Sequence, residues 1–494
     1  MTARGVVAGG HPLTAEAGAR VLREGGNAVD AAVAAVMTSC VTESPLTGLG
    51  AGGYMVVHSG SQTSVLDFFV AAPGAEGIER RSELVPIDVW FTTDAAQVFH
   101  VGAASCGVPG TPAGLVRAME LHGTVPLAEL AAPAARLARE GVVVNGEQAY
   151  FFDILAPILT HYEEAAELYA PGGTLLREGD LFRFADLGDA LERLGAAGAE
   201  PFYSGEIGSA ICDCVLERGG TLAPADLAAY EPVGREPVSA HFRGREVLTN
   251  PPPSPGGILI AFALALLERA GGVSDVESVV AAMEGAQSER TEEFLAGLYD
   301  DGFAARFLSS DRLGSTTHIT AVDGDGMCAS VTCSNGTGSG LVVPGTGVHV
   351  NNMLGEQDLN PLGFHRSEPG RRLPSMMSPT VVLRDGELEA GLGSGGSNRI
   401  RSAVLQTILR LTDGLDVAEA VVAPRVHFED GAVQAEPGVD EAALARLEAR
   451  GYEVVRWPDR NVFFGGVHAV TRDPATGELR GGGDPRRGGA VAAA

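Results

Sequence analysis

The spacing of apolar residues changes character once along the chain. Between about Leu115 and Leu216 it is mostly helical, with helices predicted over Leu127–Glu140 and 187–194. Two more helices are expected near the start. The first opens at His11-Pro12-Leu13-Thr14, with Thr14 as N-cap, and stops at Gly25-Gly26. Asn27, with Asp30 three residues on, caps a second that carries the apolar stretch from Ala31 to Val41. Gly48-Leu49-Gly50-Ala51-Gly52-Gly53 then leads into the strand-like Tyr54-Met55-Val56-Val57-His58. A phosphate-cradling loop needs a strand before it and a helix after. Here the order is reversed, so tight packing at a helix-to-strand junction is the better account. A short helix is expected within 221–230 and a strand near 246–249. A rigid turn, Asn250-Pro251-Pro252-Pro253-Ser254-Pro255-Gly256-Gly257, precedes a buried helix over 258–267.

After residue 316 strands take over. Residues 316–322, the turn Asp323-Gly324-Asp325-Gly326 and residues 328–332 predict one hairpin. A short strand is expected at 348–350. Residues 379–383, the turn Arg384-Asp385-Gly386 and residues 387–390 predict a second hairpin, with helices over Arg399–Thr412 and 441–450 as cover. Helices followed by hairpins and helices predict an α/β class, with sheets flanked by helices. No linker or repeat divides the chain, so its parts are expected to interlock as one domain.

Composition narrows the chemistry. The 494 residues, 45% hydrophobic and 20% charged, describe a globular protein with ample core. A net charge of −28 argues against nucleic acid or an anionic membrane as partner. All 35 basic residues are arginine, which excludes lysine Schiff bases and Walker-type phosphate loops. The six cysteines show no zinc-type pairs and are too sparse for a disulfide scaffold. Cys212 and Cys214 fall two apart on a predicted helix and so on different faces. No metal or organic cofactor is expected. The start, Met1-Thr2-Ala3-Arg4-Gly5, has no apolar signal core, and no run of 18 apolar residues follows, which predicts a cytoplasmic protein.

The candidate chemistry lies in Gly314-Ser315-Thr316-Thr317-His318-Ile319-Thr320. If the chain cuts itself before Thr316, that threonine acquires a free α-amine with an unperturbed pKa of about 7.7–8.0. The amine then serves as base to its own hydroxyl, the N-terminal form of nucleophilic catalysis. Inside an uncut chain the same nitrogen is an amide and has no basicity. Taken alone, the segment reads far more readily as a β-branched strand start.

Motifs elsewhere supply the context. They are Gly25-Gly26-Asn27-Ala28-Val29-Asp30-Ala31-Ala32, Gly50-Ala51-Gly52-Gly53, Val108-Pro109-Gly110-Thr111 and the Pro251–Gly257 run. Thr316-Thr317-His318, Asn351-Asn352, Met377-Ser378-Pro379-Thr380, Gly393-Ser394-Gly395-Gly396 and Asp484-Pro485-Arg486 complete them. In this order the chain resembles the γ-glutamyltransferase family of the N-terminal-nucleophile hydrolases, nearly end to end. The resemblance implies an αββα four-layer sandwich made as a proenzyme. Self-cleavage between Ser315 and Thr316 would leave residues 1–315 and 316–494 as the two subunits of a heterodimer. By position, Ser334 matches the hydroxyl residue that assists the nucleophile, and Gly396 and Ser397 match the oxyanion-hole N–H pair. Glu356 matches the acceptor of a glutamyl α-amino group, Ser375 a serine near the substrate carboxylate, and Asn335 a displaced substrate-contacting asparagine. His318 is expected to pack or hydrogen-bond rather than act as base.

Departures are concentrated in the substrate contacts. The arginine expected shortly after Ala72-Pro73 to clamp an α-carboxylate is Ile78, with Arg80 and Arg81 close but shifted. Gly336 replaces an asparagine, Met353 a glutamine and Met376 a serine. The resemblance itself implies a small-molecule acyl donor, a glutathione-type γ-glutamyl amide, resolved by water or an amine, while these departures support the alternative that follows. A different acyl group, or an acyl C–C bond, is the alternative, and an uncut non-enzymatic homologue is the third.

Overall fold

Alternating burial along the strands sorts the apolar side chains into separate layers. Val7, Met55 and Val57 enter one core, while their neighbours Val6, Ala8, Tyr54 and Val56 enter another. On the second sheet Val381 and Leu383 face the same inner core, and Val382 faces a third. This period of two is what a pleated strand buried on both faces produces. In the computed structural model, which describes residues 4–91, 96–288, 298–299, 317–360 and 363–494, these cores separate four layers.

The seven-stranded sheet runs, edge to edge, Ala490–Ala493, Gly5–Gly9, Thr317–Asp323, Cys328–Ser334, Gly52–Ser59, Gln62–Phe68 and Val233–Arg235. The six-stranded sheet runs Leu479–Gly483, Gly466–Arg472, Glu387–Gly395, Thr380–Arg384, Arg245–Thr249 and Val238–Phe242. Every pairing within both is antiparallel. The helices Pro12–Glu24, Ala28–Thr42, Thr111–His122 and Leu127–Glu140 share the outer core of the first sheet. Pro255–Arg269, Val276–Ser288, Arg399–Thr412 and Glu441–Ala449 share that of the second. The expected αββα sandwich is therefore the observed fold, and strands from both sides of residue 316 are built into each sheet.

The two sheets meet through polar as well as apolar side chains. His318 presents Nδ1 to the Thr332 hydroxyl and Nε2 to the Thr320 hydroxyl, each at 2.8 Å. Burial, with His468 nearby, holds its pKa well below the usual range, so the ring stays neutral. It is a packing residue, as its place in a strand suggests. A β-carbon at Gly393, on the facing strand, would collide with the same ring.

Most expected elements appear where the pattern puts them, including Leu127–Glu140 and Arg399–Thr412 with those limits. Thr14 is a correction. The N-cap of the first helix is His11, whose Nδ1 accepts from Leu13 N at 3.1 Å, and Thr14 sits buried inside the helix. Pro12 at the first helical position needs no donor there. Asn27 and Asp30 form the expected capping box of Ala28–Thr42, a helix buried on every side. All six cysteines are free and buried. Among the described residues no helix is long and apolar enough to cross a membrane.

Candidate active site

Helix Ala28–Thr42 ends against the point where strand Thr317–Asp323 begins. Ser315 and Thr316 lie outside the described residues; Thr317 is the first described residue of the strand. Its hydroxyl donates to Glu43 Oε2 at 2.7 Å, and Thr14 donates to Glu43 Oε1 at 3.1 Å. Glu43 caps the helix and is 7% exposed. Burial pushes its pKa up to about 7, against the two hydroxyls and Arg487, which draw it down.

Thr317 pairs with Cys333, so Ser334 stands one residue further along the ladder, on the side from which the chain enters. Ser334 is buried, and its Oγ accepts from Gly336 N at 2.9 Å, which leaves its own proton to donate. The turn beyond it is built by the Asn351-Asn352 pair. Asn352 Oδ1 accepts from Thr337 N at 2.9 Å, and Asn351 Nδ2 reaches Gly50 O at 2.8 Å and Gly107 O at 3.0 Å. Gly50 is thereby pressed against the His349 carbonyl, and no β-carbon would fit between them. The glycine loop thus serves close packing.

Gly336 has φ +66, and a side chain there would run into Asn352 Oδ1 and Glu356 Oε1. That places the Glu356 carboxylate, itself buried, beside the Ser334–Gly336 turn. Asn335 is anchored through its backbone N–H to Leu46 O at 3.0 Å. Its side-chain amide is fully buried and meets no hydrogen-bond partner among the described residues. Gly396 and Ser397 form the sharp turn from Glu387–Gly395 into Arg399–Thr412, with φ +126 and +56. Positive φ at a serine is strained, and such strain gathers at functional turns.

Ser375 accepts from Met377 N at 3.1 Å and gives its carbonyl to Gly256 N at 3.3 Å, tying the proline turn to the following loop. Met353 packs in the core between the sheets and Met376 in the outer core of the second. Arg81 spends its guanidinium on Leu216 O at 2.8 Å, and Arg80 lies 3.9 Å from Glu83. The cations near Ser334 are Arg399 and Arg487, two residues not singled out from the sequence. With Leu46, Phe91, Phe99 and Phe151 they wall a cavity that Ser334, Gly336 and Thr337 edge. Arg399 stacks over Phe463 at 4.5 Å and donates to its carbonyl at 2.9 Å. Burial first, and then Arg399, lower the Arg487 pKa to about 10.

Known proteins share this framework. The profile of the family described as Gamma-glutamyltranspeptidase matches residues 14–296 and 286–494. The Acylase ACY 1 proenzyme of Pseudomonas sp. (strain SE83) is 33% identical over 507 residues, covering 95% of this chain and 90% of its own. The Glutathione hydrolase proenzyme of Escherichia coli (strain K12) is 32% identical, with 98% and 90% covered. Cephalosporin acylase from Bacillus halodurans superposes with a TM-score of 0.83 at 27% identity, over 99% of this chain and 96% of that one. With a self-consistent αββα fold and matches over nearly its whole length, this chain is an enzyme of the gamma-glutamyltranspeptidase family, in the N-terminal-nucleophile hydrolase superfamily.

Proposed function

We propose that the chain is a self-processing threonine acyl-transfer enzyme whose acyl group has an apolar body. In the precursor the Thr316 hydroxyl attacks the Ser315 carbonyl, and the acyl group moves from nitrogen to oxygen. Water cleaves the ester, which leaves residues 1–315 and 316–494 held together by shared sheets and frees the Thr316 α-amine. In turnover the amine takes the hydroxyl proton as the oxygen attacks the donor carbonyl. Its ammonium then returns that proton to the leaving group, and water or an amine resolves the acyl-enzyme. Gly396 and Ser397 supply the N–H donors for the oxyanion. Ser334 steadies the nucleophile, while Glu356 and Asn335 are the polar substrate contacts nearest it.

The observation that carries the choice of acyl group is the cavity wall beside Ser334. Val89, Phe91, Phe99, Phe151, Ile154 and Leu155 supply most of that wall, and of the two arginines on it, Arg399 and Arg487, Arg399 is tied to the ring and carbonyl of Phe463. Ile78 cannot clamp a carboxylate, and Arg80 and Arg81 are engaged away from the cavity. A γ-glutamyl amide is the second reading, favoured by the buried Glu356 carboxylate, which suits an α-ammonium group. Both the acylase and the glutathione hydrolase names among the relatives are compatible with this pair of readings.

Paired anilides decide between them. A phenylacetyl or hexanoyl anilide is expected to exceed γ-glutamyl anilide in kcat/KM by about tenfold or more, since each buried methylene contributes about 0.8 kcal/mol. Faster release from the γ-glutamyl anilide reverses the choice. Separately, Ser334→Ala is expected to slow self-cleavage by about tenfold to a hundredfold, the scale of losing one hydrogen bond to a charged group. A time course on a denaturing gel reads it, and parental kinetics remove Ser334 from the machinery.

A further inference from the structure

We propose that the cavity beside Ser334 is a carboxylate-binding site, in which Arg487, with Arg399 as a second cation, holds a carboxylate carried by the donor. The inference rests on reading this cavity as the donor's space, and it adds one charged end to the apolar body proposed above. The site is not the clamp expected after Ala72-Pro73, because both arginines lie beyond residue 316.

The polar side chains on the wall carry the argument. Among the described residues there are four, Ser334, Thr337, Arg399 and Arg487, and each is a donor. The two hydroxyl oxygens already accept, Ser334 Oγ from Gly336 N at 2.9 Å and Thr337 Oγ1 from Asn352 Nδ2 at 3.0 Å. Each therefore keeps its proton to donate. The Glu356 carboxylate adjoins Gly336 without lining this wall. A wall of donors with two cations lacks an acceptor. A carboxylate is acceptor-only, and a guanidinium meets it with a planar fork of N–H groups.

Local packing sends Arg487 to that wall. Pro485–Arg487 is a single turn capped by Asp484, whose carboxylate accepts from Arg486 N at 3.0 Å. The Arg487 stem then crosses Gly466, where a β-carbon would strike its Cβ, Cγ and Cδ. Its Nη2 reaches the Gly396 turn, 3.8 Å from where a β-carbon of Gly396 would stand. The guanidinium lies 5.5 Å from the ring centroid of Phe151, itself part of the cavity wall. Arg399 opens the helix Arg399–Thr412 and stands over the rings of Phe463 at 4.5 Å and Phe91 at 5.9 Å. Its Nε donates to Phe463 O at 2.9 Å and its Nη1 to Gln97 Oε1 at 3.4 Å. Those contacts fix the plane of Arg399, so its part is charge, and the fork falls to Arg487.

Electrostatics favours the same occupant. Two cations on one small wall repel each other. Burial first, and then Arg399, bring the Arg487 pKa down to about 10, while Asp484, Glu43 and Tyr150 favour its charge. Arg487 is therefore still a cation at pH 7. An entering carboxylate relieves the repulsion and gains Coulomb attraction in a low-dielectric site. A neutral group of the same shape leaves the repulsion in place. Sites built for a polar partner discriminate strongly against the analogue that lacks it.

Isosteric pairs test this in the self-processed parent. The mono-anilide of adipic acid and hexanoyl anilide share one straight acyl chain and differ by its terminal carboxylate. The hexanoyl amide of meta-aminobenzoate differs from hexanoyl anilide by a carboxylate on the leaving amine. In one of these pairs the carboxylated member is expected to lead in kcat/KM by about tenfold to a hundredfold, the scale of a hydrogen bond to a charged group. The pair that shows the lead tells which end of the donor meets Arg487. Arg487→Met should bring the two members level, and Arg487→Lys, which keeps the charge without the fork, should leave a smaller lead. A merely structural loss would lower both members and keep their ratio. Arg399→Met should shrink the same lead, and it decides the matter where Arg487→Met does not fold. Where no anilide turns over, calorimetric affinities for phenylacetate and phenylacetamide read the same preference in parent and variants. Level members in both pairs, or a lead that Arg487→Met and Arg399→Met leave unmoved, overturn the inference. The apolar reading is judged separately, by hexanoyl anilide against γ-glutamyl anilide, so either fails without the other.

Discussion

Thr316→Ala is expected to leave one uncut polypeptide of 50.8 kDa with no acyl-transfer activity. The parent should resolve on a denaturing gel into fragments of roughly 32 and 18 kDa, the shares of residues 1–315 and 316–494. Both losses follow from one atom. Without the hydroxyl the Ser315 carbonyl has no neighbour to attack it, so the peptide bond survives. Without cleavage the nitrogen at 316 remains an amide, and neither base nor nucleophile exists. Removing the nucleophile of a hydrolase that works as a unit costs about 10⁶-fold in kcat. Thr316→Ser keeps a hydroxyl and should process, more slowly, because it loses the methyl that restricts χ1. Two fragments of parental size from Thr316→Ala would place the nucleophile elsewhere.

How much of this was legible in the sequence depended on the range of the interaction concerned. Leu127–Glu140 and Arg399–Thr412 are set by apolar spacing and flanking residues within a few positions, and they were read with their limits. Gly5–Gly9 was not. It is a five-residue apolar run, buried on both faces, whose partners are Thr317–Asp323 and Ala490–Ala493, hundreds of residues away. Ala490–Ala493 has poor strand propensity and is a strand because an edge was available to it. Thr14 looked like a cap because it follows a proline near a helix start. The imidazole of His11 took that place, and the freed hydroxyl bonds Glu43.

The candidate site divides in the same way. Its hydroxyls and glycines sit in motifs with a recognisable order, so Thr316, Ser334 and Gly396 could be named. Glu43, Arg399 and Arg487 reach the same region through tertiary packing, and no spacing rule connects them. Met353 and Met376 stand where the resemblance puts polar substrate contacts, and their side chains fill cores on either side of the second sheet. The change of polarity there falls in packing, while the apolar part of the proposed substrate space comes from Phe91, Phe99 and Phe151.

Asp484→Ala is expected to be among the most destabilising single changes available to the chain, by about 3–5 kcal/mol. Asp484 is fully buried and lies 2.6 Å from Arg425 and 3.0 Å from Arg486, both also buried. Glu436 completes the group, accepting from Arg486 Nε at 2.7 Å and from Arg425 N at 2.8 Å. Arg425 and Arg486, with Arg410 and Arg487 beside them, face only these two carboxylates, so removing one leaves buried positive charge uncompensated. Burial alone would raise the Asp484 pKa, but Arg425 and Arg486 overcome it and the net shift is downward. A depressed carboxyl contributes stability above its unfolded pKa of 3.8 and loses it as pH falls through the lower folded value. The variant should therefore lack part of the parent's acid-unfolding limb as well as stability at pH 7. Asp484→Asn should fall short of the parent too, since it restores shape but not charge. Replacing Arg425 together with Asp484 by apolar residues should recover much of the loss, because the cost lies in the unpaired charge. The unfolding is best measured in the uncut Thr316→Ala background, where one chain unfolds. A loss under about 1 kcal/mol would show that the cluster is solvated in a way its burial denies. Activity should suffer beyond stability. Asp484 Oδ2 accepts from Val467 N at 3.0 Å, and Val467 pairs with Ser394, two residues before Gly396. The Asp484 carboxylate also favours the charge of Arg487, at the wall of the cavity beside Ser334. Losing the carboxylate weakens the support of the proposed oxyanion turn and of the Arg487 charge together, so self-cleavage should slow even at temperatures where the variant remains folded.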